Sequence, residues 1–279
     1  MRLLYVNESF GNLAGAEANV LATAEELQKR GHDVCLAAQR RSGRGEPEWE
    51  RIFGNNVLFP EKEDDWRKGL DRFMPDVVYL HKWDQLPSIK LFVESGIPLV
   101  RMVHDHDLYC LRSYKYNPLT RKICPRPVSA YCVFPCLAPL KRNRGGLFPF
   151  RLASFSAKKK EIALNRQFDR LVVATEFMRH ELLINGFEDG KIVTLAPVPK
   201  PGEPLRSRFG PRNLLLYTGQ IVRGKGVDIL LRALALVRQP FEAVIAGDGH
   251  HRQACEKLAE SLGLGSKVRF PCHLSAGEL

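Results

Sequence analysis

The residues best suited by type and spacing to hold an anion run Tyr217-Thr218-Gly219-Gln220-Ile221-Val222-Arg223-Gly224-Lys225-Gly226-Val227-Asp228. An apolar strand over Leu214 to Tyr217 feeds a glycine-rich turn and then an amphipathic helix, so backbone N–H groups and a lysine can converge on a phosphate. A plain surface lysine at a helix start would oppose the helix dipole, and a bound anion explains Lys225 better. A second unit of the same kind follows, with Phe241, Ala243, Val244 and Ile245, then Gly247-Asp248-Gly249, then a helix from about Arg252 to Leu262. Strand, glycine turn and helix in repetition define a parallel doubly wound sheet.

His104 follows the strand Leu99 to Val103, at the carboxyl end where open α/β sheets place ligands. Asp105 is a neighbour that could orient an imidazole or a hydroxyl, and His106 and Asp107 follow directly. The plainer reading of His104 is a loop histidine that satisfies local hydrogen bonds. Cys110, Cys124, Cys132 and Cys136 fall in one short stretch. Their gaps lack the paired two-residue spacing of common zinc modules, yet four thiolates could close on one ion, with structural zinc preferred to an iron-sulfur cluster. The alternative is four separate free thiols. Cys35, Cys255 and Cys272 lie in periodic segments, where cysteine behaves as a small buried hydrophobe.

The elements that must position these residues alternate along the chain. Leu3 to Val6 reads as a strand, Gly11 to Gly15 as a permissive turn, and the following helix stops at Gly31. His32 to Ala38 reads as a strand, Glu63 to Phe73 as a helix, Val77 to Leu80 as a buried strand, and Leu86 to Glu94 as a helix. From about 104 to 144 the periodicity breaks in an insertion rich in Pro, Cys, Tyr and Arg, too long for a plain connection. A helix near Ser154 to Asn165, a strand over Leu171 to Ala174, a helix over Glu176 to Ile184 and a strand over Ile192 to Leu195 complete a first sheet. Five prolines between Pro197 and Pro211 mark a linker. The expected organisation is a first domain over 1–198, a linker over 199–212 and a partial second domain over 213–279.

With 279 residues, 44% of them hydrophobic, the chain supports well-buried cores and excludes disorder. No run is long and apolar enough to span a membrane, and the first residues turn polar too soon for a signal peptide, so the cytoplasm is the expected compartment. A net charge of +11 calls for an anionic ligand or surface. The excess is concentrated between Lys141 and Arg170, where Leu147, Phe148, Phe150, Leu152 and Phe155 sit among the basic residues. That mixture reads either as a segment lying on an anionic bilayer or as a basic helix packed on its own domain. A basic zinc-containing nucleic-acid-binding protein is a further reading. It explains the charge but not the two glycine-turn sheet units, and nucleic acid is therefore the disfavoured partner.

The two units together resemble the donor half of retaining glycosyltransferases of family four, which have the α/β GT-B architecture of two Rossmann-like doubly wound domains. Gly219, Lys225, Gly226, Gly247 and Gly249 match that family's donor-binding positions, while Gln220 stands where the family usually has arginine. The resemblance therefore implies that Lys225 carries more of the donor diphosphate charge, with Arg223 on the same turn. Gly15 and Glu17 match the family's Gly-Gly-x-Glu loop, with Ala14 in place of the first glycine, and so are expected to face the interdomain cleft on the acceptor side. The match makes His104 a contact to the donor sugar and a catalytic residue, with Asp105 beside it. The implied activity is transfer of a hexose, with retention, from a nucleotide diphosphate sugar to a lipid-linked or polysaccharide acceptor. No catalytic metal is expected, and the implied place is the inner face of the cytoplasmic membrane. The second sheet reads as only three strands before Leu279, where such a domain usually has about five or six, and nothing matches the family's glutamate pair. A truncated, inactive membrane-docking or binding module is thus the rival expectation.

Overall fold

Nine residues of continuous strand begin the molecule, because the apolar residues at Leu3, Leu4, Tyr5 and Val6 lie alternately on two faces that are both covered. A computed structural model describes residues 1–11, 15–117, 122–142, 150–196 and 213–272. The chain forms two compact units, Met1–Gly202 and Glu203–Leu279. The expected linker, 199–212, lies outside the described residues.

In the first unit, β1 (Arg2–Phe10), α1 (Ala16–Lys29), β2 (Asp33–Arg41), α2 (Glu46–Phe53), β3 (Val57–Leu58), α3 (Glu63–Phe73), β4 (Val77–Leu80), α4 (Leu86–Glu94) and β5 (Leu99–Val103) alternate as strand and helix. At the end of the insertion comes β6 (Leu140–Arg142), and after it β7 (Phe150–Leu152), α5 (Phe155–Asn165), β8 (Arg170–Val173), α6 (Glu176–Ile184) and β9 (Ile192–Thr194). Seven strands form one parallel sheet in the order β3-β2-β1-β4-β5-β8-β9. One face packs Leu4, Val6, Val78 and Leu80 under Trp66, Ile89 and Phe92, and the other packs Tyr5, Val34 and Leu36 under Val20, Trp49 and Phe53. Burial on both faces is what a parallel sheet requires. Strand order reverses between β1 and β4, which opens a crevice beyond their carboxyl ends.

Local chemistry sets several boundaries. Ser154 accepts from the Ala157 amide to start α5, and Thr175 accepts from the Met178 amide to start α6. α2, β3 and the strands β6 and β7 escaped the sequence reading. In α2 the signal was present, with Pro47 in the first turn and Trp49, Ile52 and Phe53 buried on one side. β6 and β7 pair antiparallel, Leu140 opposite Leu152, in a small hairpin of their own.

The insertion has anchors that its irregular sequence hides. Leu108, Tyr109, Leu111 and Ala138 are buried, and Lys115 Nζ lies 2.6 Å from Glu181 Oε2 of α6, with both side chains shielded from solvent. The same ammonium donates to the Arg126 carbonyl, and the Val128 amide donates to Asn185 Oδ1. A buried ion pair contributes little net stability, but losing one partner would strand a charge, so it fixes where the insertion sits on α6.

The second unit holds β10 (Leu214–Thr218), α7 (Val227–Leu234), β11 (Glu242–Ala246), α8 (Arg252–Ser261) and β12 (Val268–Arg269), with a parallel sheet ordered β10-β11-β12. Its core joins Ile221, Val227 and Leu231 to Ala243, Ile245, Cys255 and Val268. The α/β architecture with a smaller second Rossmann-like unit agrees with the GT-B expectation. Cys35 and Cys255 are buried as expected, but Cys272 is exposed, because it follows the short β12 and leaves the core to accept a hydrogen bond from Arg252 Nη1.

Candidate functional site

A polar cavity of about 430 Å³ opens at the carboxyl ends of β4 and β5 in the first unit. It is lined by Glu8, His81, Lys82, His104, Asp105, Asp107 and Lys158, among others. His104 leaves β5 after the buried Val103, and Asp105 turns back so that its Oδ1 accepts from the Asp107 amide at 2.9 Å. Its Oδ2 meets Lys82 Nζ at 3.2 Å. Burial raises the Asp105 carboxyl, yet the Asp107 amide and Lys82 outweigh it, and Asp105 stays below the usual carboxylate range. Burial, seconded by the Asp105 charge, pushes Asp107 up instead. Burial opposes the Lys82 charge, but Asp105, Asp107 and Glu17 together hold its pKa above the ordinary lysine value. Gly15 caps α1 with a φ of 61°, and the rest of the matched loop, 12–14, lies outside the described residues.

His104 Nε2 lies 2.8 Å from Nδ1 of His81, which the sequence reading passed over. Burial lowers the His104 pKa to about 4, with Asp105 opposing and Lys82 and Arg101 assisting. His81 is pushed well below the ordinary histidine range by burial and by the charges around it. Both rings are neutral at pH 7. Behind them Arg101 donates to Asn165 Oδ1 at 2.8 Å and to the Trp83 carbonyl at 2.9 Å, a fixed cation under the cavity floor.

In the second unit the two glycine turns cross at the carboxyl ends of β10 and β11. The Gly219 amide donates to the Ala246 carbonyl at 3.0 Å, and the Ile221 amide to the Asp248 carbonyl at 2.9 Å. A Cβ at Gly247 would lie 1.9 Å from the Gly219 oxygen, and one at Gly249 would lie 2.4 Å from the Ile221 oxygen. Gly247 and Gly249 are thus glycine because the turns touch, and the amides of Gly219 and Ile221 are engaged in that contact. What faces outward is the turn of Arg223, Gly224 and Lys225, all exposed, leading to Gly226 at a φ of 72°. Gly226 caps α7, and a helix start leaves its first amides without intrahelical carbonyls. Gln220 is exposed, and its carbonyl accepts from the Tyr217 hydroxyl at 3.1 Å.

Cys110, Cys124, Cys132 and Cys136 all line one cavity of about 210 Å³, and burial, with the neighbouring thiols adding, raises the Cys132 thiol. A tetrahedral zinc would need every sulfur about 2.3 Å from one point. Among the described residues no three His, Cys, Asp or Glu side chains are placed to hold a metal ion. The expected metal centre, zinc or iron-sulfur, is thus not shown by the described residues.

Of the two readings of the basic stretch, its helix takes the packed one. α5 buries Glu161, Ile162 and Asn165, and Lys158 is engaged with Glu161 and the Asp107 carbonyl, so this helix packs on its own unit. Exposed apolar side chains lie just before and on the hairpin instead, at Phe134 (77%), Leu137, Leu140 and Leu152 (80%). Leu147 and Phe148 lie outside the described residues. Among the described residues no helix is long and apolar enough to cross a membrane.

Two glycine turns at the ends of parallel strands and a polar cavity at the ends of another parallel sheet define a two-domain α/β transferase. The chain belongs to Glycosyltransferase Family 4, whose model matches residues 13–197, and the model for glycosyl transferases group 1 matches 206–279. It is a glycosyltransferase. Solved structures of similar fold include HepE of Anabaena in complex with UDP-glucose, at 15% identity and a TM-score of 0.63, covering 99% of this chain and 70% of that one. The lipopolysaccharide outer core galactosyltransferase WaaB in its apo form gives 15%, 0.59, 99% and 69% for the same measures. WaaG, a glycosyltransferase involved in lipopolysaccharide biosynthesis, gives 18%, 0.59, 99% and 71%. No curated protein matches the sequence significantly.

Proposed function

We propose that the chain transfers a sugar, with retention of configuration, from a nucleoside diphosphate sugar to a glycan or lipid-linked acceptor at an anionic membrane surface. The observation that carries this reading is the exposed Arg223-Gly224-Lys225 turn opening onto the start of α7. Two cations and the first amides of a helix suit a diphosphate, and they stabilise it most when it departs with its negative charge. Because the crossing of the turns engages the Gly219 amide, the diphosphate ligands in this reading are Lys225, Arg223 and the amides following Gly226. In this reading Gly219, Gln220, Gly247 and Gly249 shape the turns beside them. In the first unit a neutral His104 and the Lys82–Asp105 pair offer hydrogen bonds to sugar hydroxyls without placing a free cation beside a developing oxocarbenium centre. Gly15 and Glu17 belong to the acceptor side.

Similar folds support the choice of donor, since HepE is solved with UDP-glucose, and the two lipopolysaccharide enzymes point toward an envelope glycan acceptor. Membrane contact is assigned to the apolar side chains of Phe134, Leu137, Leu140 and Leu152, with Lys141, Arg142 and Arg151 carried on the hairpin strands. The protein would thus work as a peripheral protein of the cytoplasmic face. Incubation with UDP-glucose and other nucleoside diphosphate sugars, followed by proton NMR of the anomeric region, tests the reaction. Release of the nucleoside diphosphate with a product of the donor's own anomeric configuration supports the proposal. Inverted product would contradict retention, and no consumption of any donor with glycan or lipid-linked acceptors present would contradict transfer.

A further inference from the structure

His81 is 1% exposed, yet it is an imidazole with two nitrogens to satisfy. Its ring stacks on Tyr5 at 5.4 Å and packs against Tyr79 at 4.3 Å. Nδ1 meets His104 Nε2 at 2.8 Å, and Nε2 has no hydrogen-bond partner among the described residues. The sheet explains why the two rings meet. β4 and β5 pair with Leu80 opposite Arg101, so His81 falls opposite Met102, and His104, two residues further, lies on the same face. The His81 amide, by donating to the Val6 carbonyl at 2.9 Å, holds the residue in line with β4.

Two neutral imidazoles share one proton across this contact, and there are two ways to place it. If His104 Nε2 donates, the proton of His81 sits on Nε2, where a buried N–H faces no acceptor. If His81 Nδ1 donates, Nε2 of His81 carries only an unused lone pair. Orphaned buried donors are the rarer and more costly defect, so the second arrangement prevails. In it Nε2 of His104 accepts, and the proton of His104 resides on Nδ1. We propose that His81 is a positioning residue that locks His104 in the Nδ1–H form, so that His104 offers its cavity a hydrogen-bond donor and not a base. Such a donor suits a sugar hydroxyl oxygen or a phosphate oxygen. The proposal rests on the reading of His104 as a ligand contact only for its catalytic consequence.

The test is long-range proton–nitrogen NMR of protein labelled with nitrogen-15 histidine, at pH 7.5 and without substrate, on the wild type, His81→Leu and His81→Asn. Asparagine places an amide nitrogen where Nδ1 stands and can still donate to His104. In the wild type and in His81→Asn, His104 is expected to show a protonated Nδ1 and an unprotonated Nε2. In His81→Leu the proton should redistribute toward the released Nε2. A protonated Nε2 in the wild type would overturn the proposal, as would a His104 pattern that His81→Leu leaves unchanged. With a donor that turns over, His81→Leu should lose about tenfold or more in kcat, with KM for the donor held within about twofold, and His81→Asn should recover most of the loss. Equal kcat in all three proteins would remove the catalytic consequence. The spectra need no substrate, so a failed transfer assay with the expected spectra would fault the sugar-transfer reading alone.

Discussion

Burial keeps His104 from taking a proton until the pH falls to about 4, whereas the unfolded chain would protonate it near 6.5. Between those values the unfolded state binds more protons, so stability rises with pH. The contribution is complete above about pH 6.5 and is lost as pH falls toward 4. Urea unfolding should therefore show a higher midpoint at pH 7 than at pH 5, and His104→Gln should narrow that difference; an unchanged difference would place the titration elsewhere. His104 and Asp105 were legible in the sequence because each lies just beyond a clear strand. His81 and Lys82 lie just beyond one too, but their meaning depends on β4 pairing with β5, and strand order is not written in local periodicity. Gly219 shows the converse. It stands at a donor-binding position of the resemblance, yet its amide is donated to the Ala246 carbonyl.

Elements that carry a strong local signal appear where the sequence places them, as α4 over Leu86–Glu94 and α6 over Glu176–Ile184 do. α2 was missed despite a good apolar stripe, and the hairpin was missed because its strands are only three residues each. The crossing of the glycine turns gives the second unit a point that tolerates no side chain. Gly247→Ala must push the Gly219 carbonyl away, and should destabilise that unit by about 1–3 kcal/mol, read from denaturant unfolding. Wild-type stability in that variant would mean that the turns do not touch in solution. The hairpin region carries a separate expectation. The double substitution of Phe134→Ser with Leu152→Ser should weaken co-sedimentation with vesicles rich in anionic lipid while leaving the unfolding midpoint close to that of the wild type, since both side chains are exposed. Undiminished vesicle binding would move the membrane contact to another surface.

At the scale of the molecule, two parallel sheets present their carboxyl ends as the places where chemistry can be done, and each carries a distinct part of it. The first unit holds neutral imidazoles and a Lys82–Asp105 pair in a polar cavity, while the second presents two cations and a helix start. The net charge of +11 was legible as a demand for anions, but not which anion. The proposed function assigns that demand to Arg223 and Lys225 on one unit and to the basic residues of the hairpin on the other. Four cysteines close in sequence suggested a metal; they line one cavity, and among the described residues no three His, Cys, Asp or Glu side chains are grouped to hold an ion. Isothermal titration of the wild type and Lys225→Ala with UDP and UDP-glucose tests most directly whether the second unit is a donor diphosphate site. The wild type should bind, and Lys225→Ala should lose about tenfold or more in affinity, as removal of a charge-assisted contact to phosphate requires. Equal affinity in the two proteins would contradict the assignment of the turn.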